Sequence, residues 1–145
     1  GTDGQRVTLD DLSLLNISCT TRPKGGDADI WIAHAPPAGT TVATRINGRD
    51  AGDPDLVGAL RRYSPRAILS GHVHDPVAWF ENKNSTLLLN PGRNAAARIP
   101  NHILLDTSTF SADWITEKRR EFTSSLPAPE CEVTAQEDQL SPVLA

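Results

Sequence analysis

The chain has 145 residues, 38% hydrophobic and 22% charged, with a formal net charge of −4. That length fits one domain with a real core, and the mild acidity gives no basic face for nonspecific nucleic-acid binding, so a nucleic-acid scaffold role is not expected. No apolar run approaches the ~18 residues of a membrane span. The opening residues carry no signal-peptide pattern, and two cysteines, Cys19 and Cys131, make neither a disulfide framework nor a cysteine zinc site. A reducing cytoplasm is the expected setting.

Residues 6–9 and 14–19 read as short strands, followed by a turn region over 20–27 that holds Pro23 and Gly25-Gly26. The apolar run 29–33 has strand length and suits burial on both faces. Pro36-Pro37 ends it, and 38–52 reads as a polar loop. A helix is predicted over 53–63, with Asp53 as cap, Pro54 at the first helical position, Asp55 at the positive end of the dipole and Leu56, Val57 and Leu60 as its apolar stripe. Pro65 stops it before a strand over 66–70. Strands over 77–80 and 86–89 flank a polar turn over 81–85, Asn90-Pro91-Gly92 forms a turn, and 102–106 with 112–116 reads as a closing hairpin. His102 opens the first of these and reads as structural. The segment 121–145 has no Lys or Arg, several acids and three prolines. It is expected to be an acidic, disordered tail behind a lobe spanning 1–120.

The order strand, helix, strand over 29–70 is a βαβ unit, whose crossover makes the two strands parallel. Their C-terminal ends then share one edge of the sheet, where open α/β sheets bind ligands. His34 follows the first strand and His72 and His74 follow the second, each framed by Gly or Pro. Neutral imidazole is the commonest side-chain metal ligand. Gly71 is expected to let the backbone turn before His72, and His72 and His74, two apart, to lean to one side of an extended segment. Asp75 is open to two readings, an acid that orients an imidazole or a solvent-facing turn residue.

These motifs resemble those of the calcineurin-like metallophosphoesterases. His34-Ala35-Pro36-Pro37, Gly52-Asp53-Pro54-Asp55-Leu56, Gly71-His72-Val73-His74 and Asn90-Pro91-Gly92 stand in that family's order and spacing over roughly residues 27–116. The resemblance implies an α/β fold, part of an α/β/β/α sandwich with mixed sheets and few helices. It implies two divalent metals (Mn, Fe or Zn) at one sheet edge, with His34 and His72 on one and His74 on the other. The implied reaction is hydrolysis of a phosphate mono- or diester, two metals about 3.5–4 Å apart stabilising charge on the attacking and leaving oxygens. Asn90, Asp75 and Arg93 are candidate supporting or phosphate contacts, Arg93 ahead of Arg45, Arg49 and Arg98.

The family's first-half motifs Asp-x-His and Gly-Asn-His-Asp/Glu are not in this sequence, and Gly26-Asp27, before the strand leading to His34, and Gly52-Asp53, at the helix start, do not stand where the family's Gly-Asp does. The resemblance therefore implies a C-terminal half with no catalytic acid of its own. Half a sandwich leaves an apolar sheet face in water, which marks an interface. A homodimer, or a separate chain supplying the missing half, is the expected partner, with a phosphate ester as substrate. The alternative is an incomplete phosphoesterase fold serving as an interaction or single-metal module.

Overall fold

Alternating apolar residues near the start of the chain build a hairpin of β1 (Arg6–Leu9) and β2 (Leu12–Ile17), turned at Asp10 with φ +52. The structure, a computed structural model, describes residues 4–22 and 24–123. Pro23, Cys131 and the tail over 124–145 lie outside the described residues. The chain continues through β3 (Ile30–Ala33), α1 (Asp55–Tyr63), β4 (Ala67–Leu69), β5 (Phe80–Lys83), β6 (Thr86–Leu89), β7 (His102–Asp106), β8 (Ser111–Ile115) and β9 (Arg120–Phe122).

Six strands form a mixed sheet in the order β1-β2-β3-β4-β6-β5. The inner four, β2, β3, β4 and β6, are mutually parallel. The expected βαβ unit is present as β3-α1-β4. The strand period of two sends alternate residues to opposite faces. Leu15, Ile17, Trp31, Ala33, Ile68 and Leu88 point to one face and pack on Leu56, Ala59 and Leu60 of α1. Ile30, Ala67, Leu87 and Leu89 point to the other and meet Ala112, Ile103, Leu105 and Trp114 from a three-stranded sheet, β7-β8-β9, and Phe110 from the β7–β8 turn. The result is a mixed α/β fold, mostly strand, with one helix among the described residues. Each fully buried Leu or Ile contributes about 1.5–3 kcal/mol. A Leu88→Ala cavity between helix and sheet would cost about 2–5 kcal/mol.

The three-stranded sheet does not cover the whole of its facing partner. Val7 lies opposite Leu14 and Leu9 opposite Leu12, on the face shared with Ile30 and Ile32. Val7, Leu9 and Ile32 are 44%, 60% and 43% exposed. This β1–β3 end of the inner face is an apolar strip open to solvent.

Four expectations change. The helix begins two residues late: Pro54 takes the N-cap position, while Asp53 Oδ1 accepts the Asp55 N–H at 3.0 Å and Oδ2 pairs with Lys24 Nζ at 3.0 Å. The strand expected over 77–80 runs over 80–83 instead. Asn84 and Ser85 both take positive φ, +51 and +62, a two-residue hairpin turn that lets β5 run on through Lys83. The polar loop over 38–52 buries Val42 and Ala43 completely. Finally, β9 crosses the lobe boundary placed at residue 120, because residues 120–122 pair with β8.

Candidate functional site

The parallel strands β2, β3, β4 and β6 end together, so the residues after them share one edge of the sheet. His34 leaves β3, with its N–H donating to the Ile17 carbonyl of β2 at 3.0 Å. Ser70 leaves β4 and donates through its N–H and its hydroxyl to the Leu89 carbonyl of β6, both at 2.9 Å. Gly71 N–H then donates to the His34 carbonyl at 3.2 Å. These bonds sew the two histidine segments together at the backbone. The rings follow: His34 and His72 have centroids 4.8 Å apart with planes at 51°, and both side chains are exposed.

The turn that presents His72 is not the one expected. Gly71 carries no positive φ; His72 itself does, at +63. The Val73 N–H donates to the Gly71 carbonyl at 2.7 Å. An i→i+2 bond across a residue of positive φ is a γ-turn of the rarer, strained kind. His is among the side chains that visit this region more readily, but the conformation costs about 1–3 kcal/mol and persists only where its surroundings enforce it.

The enforcement comes from Asn90. It is fully buried. Its Nδ2 donates to the Val42 and Val73 carbonyls, both at 3.0 Å, and its Oδ1 accepts the Gly92 N–H at 3.0 Å. Asn90 is therefore not a phosphate contact. It ties the loop over 38–52, the His72–His74 segment and its own turn into one unit. Gly92, at φ +64, completes the junction: a Cβ there would meet Pro76 Cδ at 3.0 Å and the His74 carbonyl at 3.1 Å.

His74 is also exposed, but the segment is not extended as expected. The γ-turn breaks it, and Val73, between the two histidines in sequence, is buried while both of them are exposed. Among the described residues no three His, Cys, Asp or Glu side chains group so as to hold a metal ion. Asp75 resolves its two readings in favour of neither: its Oδ1 faces Arg45 Nε at 2.8 Å, and its carbonyl accepts the Ile46 N–H at 2.9 Å. That pair fastens the loop over 38–52 to the histidine segment and occupies Arg45. Arg93 donates its backbone N–H to the His74 carbonyl at 2.7 Å, and its side chain is exposed without an ion-pair partner among the described residues. His102 opens β7 with Nδ1 2.9 Å from the Pro100 carbonyl.

Two imidazoles in this arrangement can serve one divalent ion, whose nitrogen ligands on a tetrahedral centre stand about 3.3 Å apart. Further ligands have to come from elsewhere. Sequence reasoning missed Val42 and Val73, whose carbonyls organise the site through Asn90; only their apolar character, inside a polar stretch, hinted at burial.

No family model and no curated protein matches this chain. Two solved chains match, one of them similar in fold with a TM-score of 0.51 at 10% identity, covering 85% of this chain and 53% of that one. The chain thus spans about half the length of that solved structure.

Proposed function

We propose that this chain is the C-terminal half of a metal-dependent phosphoesterase, in which His34 and His72 hold one divalent ion and His74 stands ready for a second. The observation that carries the reading is the approach of His34 and His72 across the end of parallel strands, 4.8 Å apart, with His72 held in a strained turn. When bound, Mn, Fe or Zn supplies Lewis-acid neutralisation of phosphoryl oxygens. This chain's residues hold the ion and orient the substrate: Arg93, whose backbone N–H bonds the His74 carbonyl, has an exposed guanidinium with no ion-pair partner among the described residues, suited to a phosphate oxygen.

A phosphate mono- or diester is the substrate of this reading, and the fold completes as an α/β/β/α sandwich. The two sheets already face one another across a shared core, which supports that architecture. The partner is a chain segment supplying the other half. Val7, Leu9 and Ile32, exposed on one sheet face, support a surface that such a segment covers.

A second reading is favoured by one observation: only two imidazoles converge among the described residues. On that reading the chain is a single-metal or interaction module.

Titration with Zn²⁺ and Mn²⁺ by calorimetry tests the common step. Binding that disappears in His34→Ala and His72→Ala supports metal binding on either reading, and wild-type protein that binds neither ion overturns metal binding by this chain and leaves only the interaction module. Turnover of bis-p-nitrophenyl phosphate with Mn²⁺ separates them. Sedimentation showing a stable monomer at micromolar concentration counts against a self-paired half.

A further inference from the structure

Of the three tryptophans, Trp31 lies under α1, with Nε1 donating to the Gly26 carbonyl at 3.0 Å. The other two form one wall of a cleft of about 330 Å³ that His74 also lines. Trp79 and Trp114 are stacked, with centroids 6.0 Å apart and planes at 13°. Both indole N–H groups are committed: Trp79 to Glu121 Oε2 and Trp114 to the Pro91 carbonyl, each at 3.0 Å. Asn101 Nδ2 donates to that same carbonyl at 3.1 Å. The rings therefore cannot swing to refill the cleft, and it is organised before any ligand arrives.

Its chemistry is selective. Val77 lines it and is 54% exposed, an apolar side chain with nothing on it. Pro76 and Pro91 add flat apolar edges. The polar groups are mixed: the Asp75 and Glu121 carboxylates, the Asn101 amide, the His74 imidazole and the Arg119 guanidinium. Glu121 carries a negative charge, met only loosely by Arg119 at 3.8 Å, and the Asp75 carboxylate is held by Arg45. An uncharged flat ring with a hydrogen-bond donor on its edge fits both the aromatic wall and the Glu121 carboxylate.

We propose that this cleft is a binding site for a neutral aromatic or heteroaromatic ring that bears a donor group. On the phosphoesterase reading, and resting on it, that ring is the organic part of the ester, laid against Trp114 while its phosphate lies toward His74 and Arg93. Ring binding itself does not depend on metal or on turnover.

The indole N–H signals of ¹⁵N-labelled protein read the site without metal. Adenosine and phenol are the ring probes, separating a nucleobase from a simple aryl group, and cyclohexanol is the non-aromatic control. Trp79 and Trp114 signals are expected to shift saturably at millimolar probe while Trp31 stays still. Cyclohexanol is expected to leave all three in place. Val77→Asp, on an exposed position that folding does not need, is expected to weaken ring binding at least tenfold. Trp114→Leu is expected to abolish it.

No saturable shift with either ring, or equal shifts at Trp31, overturns the proposal, as does undiminished binding in Val77→Asp. Loss of metal binding in His34→Ala with ring binding intact leaves this site standing. Metal binding without ring binding removes it and leaves the phosphoesterase reading untouched.

Discussion

The imidazoles of His34 and His72 meet 4.8 Å apart because the Gly71 N–H is bonded to the His34 carbonyl. Both rings are exposed, so neither contributes core packing. His34→Ala and His72→Ala should each weaken Zn²⁺ binding at least about tenfold, which is about 1.4 kcal/mol, while melting temperature changes little. Binding should fall on acidification, since only neutral imidazole coordinates. Calorimetry beside a thermal melt checks both statements. Equal affinity in wild type and variants would show that the ion sits elsewhere.

The γ-turn makes a prediction about glycine that runs against the motif. Gly71 has ordinary φ, and a Cβ there meets only the His34 carbonyl at 3.9 Å. Gly71→Ala should therefore fall within about 0.5 kcal/mol of wild type. Gly92→Ala adds positive-φ strain to contacts of 3.0 and 3.1 Å and should cost about 1–3 kcal/mol. Urea unfolding of the two variants side by side gives the ordering.

The histidine edge was legible in the sequence because two apolar runs flank one helix, and such a crossover has a single outcome for where strand ends fall. The turn at His72 was not legible: the neighbouring Gly71 is the residue that ordinarily takes positive φ. Asn90 stood out beside Pro91-Gly92, but its partners are carbonyls 48 and 17 residues away, and a carbonyl leaves no mark on a sequence. Strand β9 was hidden for a different reason. Arg120, Glu121 and Phe122 are all exposed on an edge, so no apolar alternation marks them. Its order comes from pairing with β8 and from the Thr123 hydroxyl accepting the Ala112 N–H at 3.0 Å.

Asp29 couples the first hairpin to acidity. Its Oδ2 accepts the Ser13 N–H at 2.8 Å and the Ser13 hydroxyl at 2.7 Å. Chiefly the Ser13 backbone bond, then its hydroxyl, holds this carboxyl below its ordinary range. A depressed folded value means the stabilisation is full above the unfolded carboxylate range, near pH 4, and is lost as pH falls through the folded value. The group is partly in solvent, so the contribution is about 1 kcal/mol. In Asp29→Asn the acid limb of the stability–pH curve should flatten, as read from melting temperature between neutral and acidic pH. An unchanged acid limb would contradict this.

Lys24 and Asp53 form an asymmetric pair. The Lys24 side chain is 4% exposed and that of Asp53 is 18% exposed, with 3.0 Å between them. Lys24 Nζ also donates to the Ser18 carbonyl at 2.6 Å. Removing the acid strands a buried ammonium and also frees the Asp55 N–H at the helix start. Asp53→Ala should therefore cost about 3–5 kcal/mol. Lys24→Met leaves a carboxylate that reaches water and should cost distinctly less. Denaturant midpoints with equal slopes decide the order, and the reverse order would refute the argument.

Asn90 offers the sharpest test of how the site is held. It donates twice and accepts once inside a fully buried setting, so its chemistry and not its size is what the junction needs. Asn90→Asp keeps the shape but turns the amide donor into a carboxylate oxygen facing the Val42 and Val73 carbonyls. Each buried carbonyl left unmet costs about 1–3 kcal/mol, with the buried charge adding to it. Asn90→Ala loses the same bonds and leaves a space that water can enter. Asp should therefore be worse than Ala at neutral pH, and its deficit should shrink on acidification as the carboxyl regains a proton to donate. Because Val73 sits between His72 and His74, both variants should also weaken Zn²⁺ binding, even though Asn90 touches no ion. Metal titration at a temperature where each variant remains folded separates this loss from simple unfolding. A folded Asn90→Ala that binds Zn²⁺ as wild type does would show that the His72 turn holds without the bond to Val73.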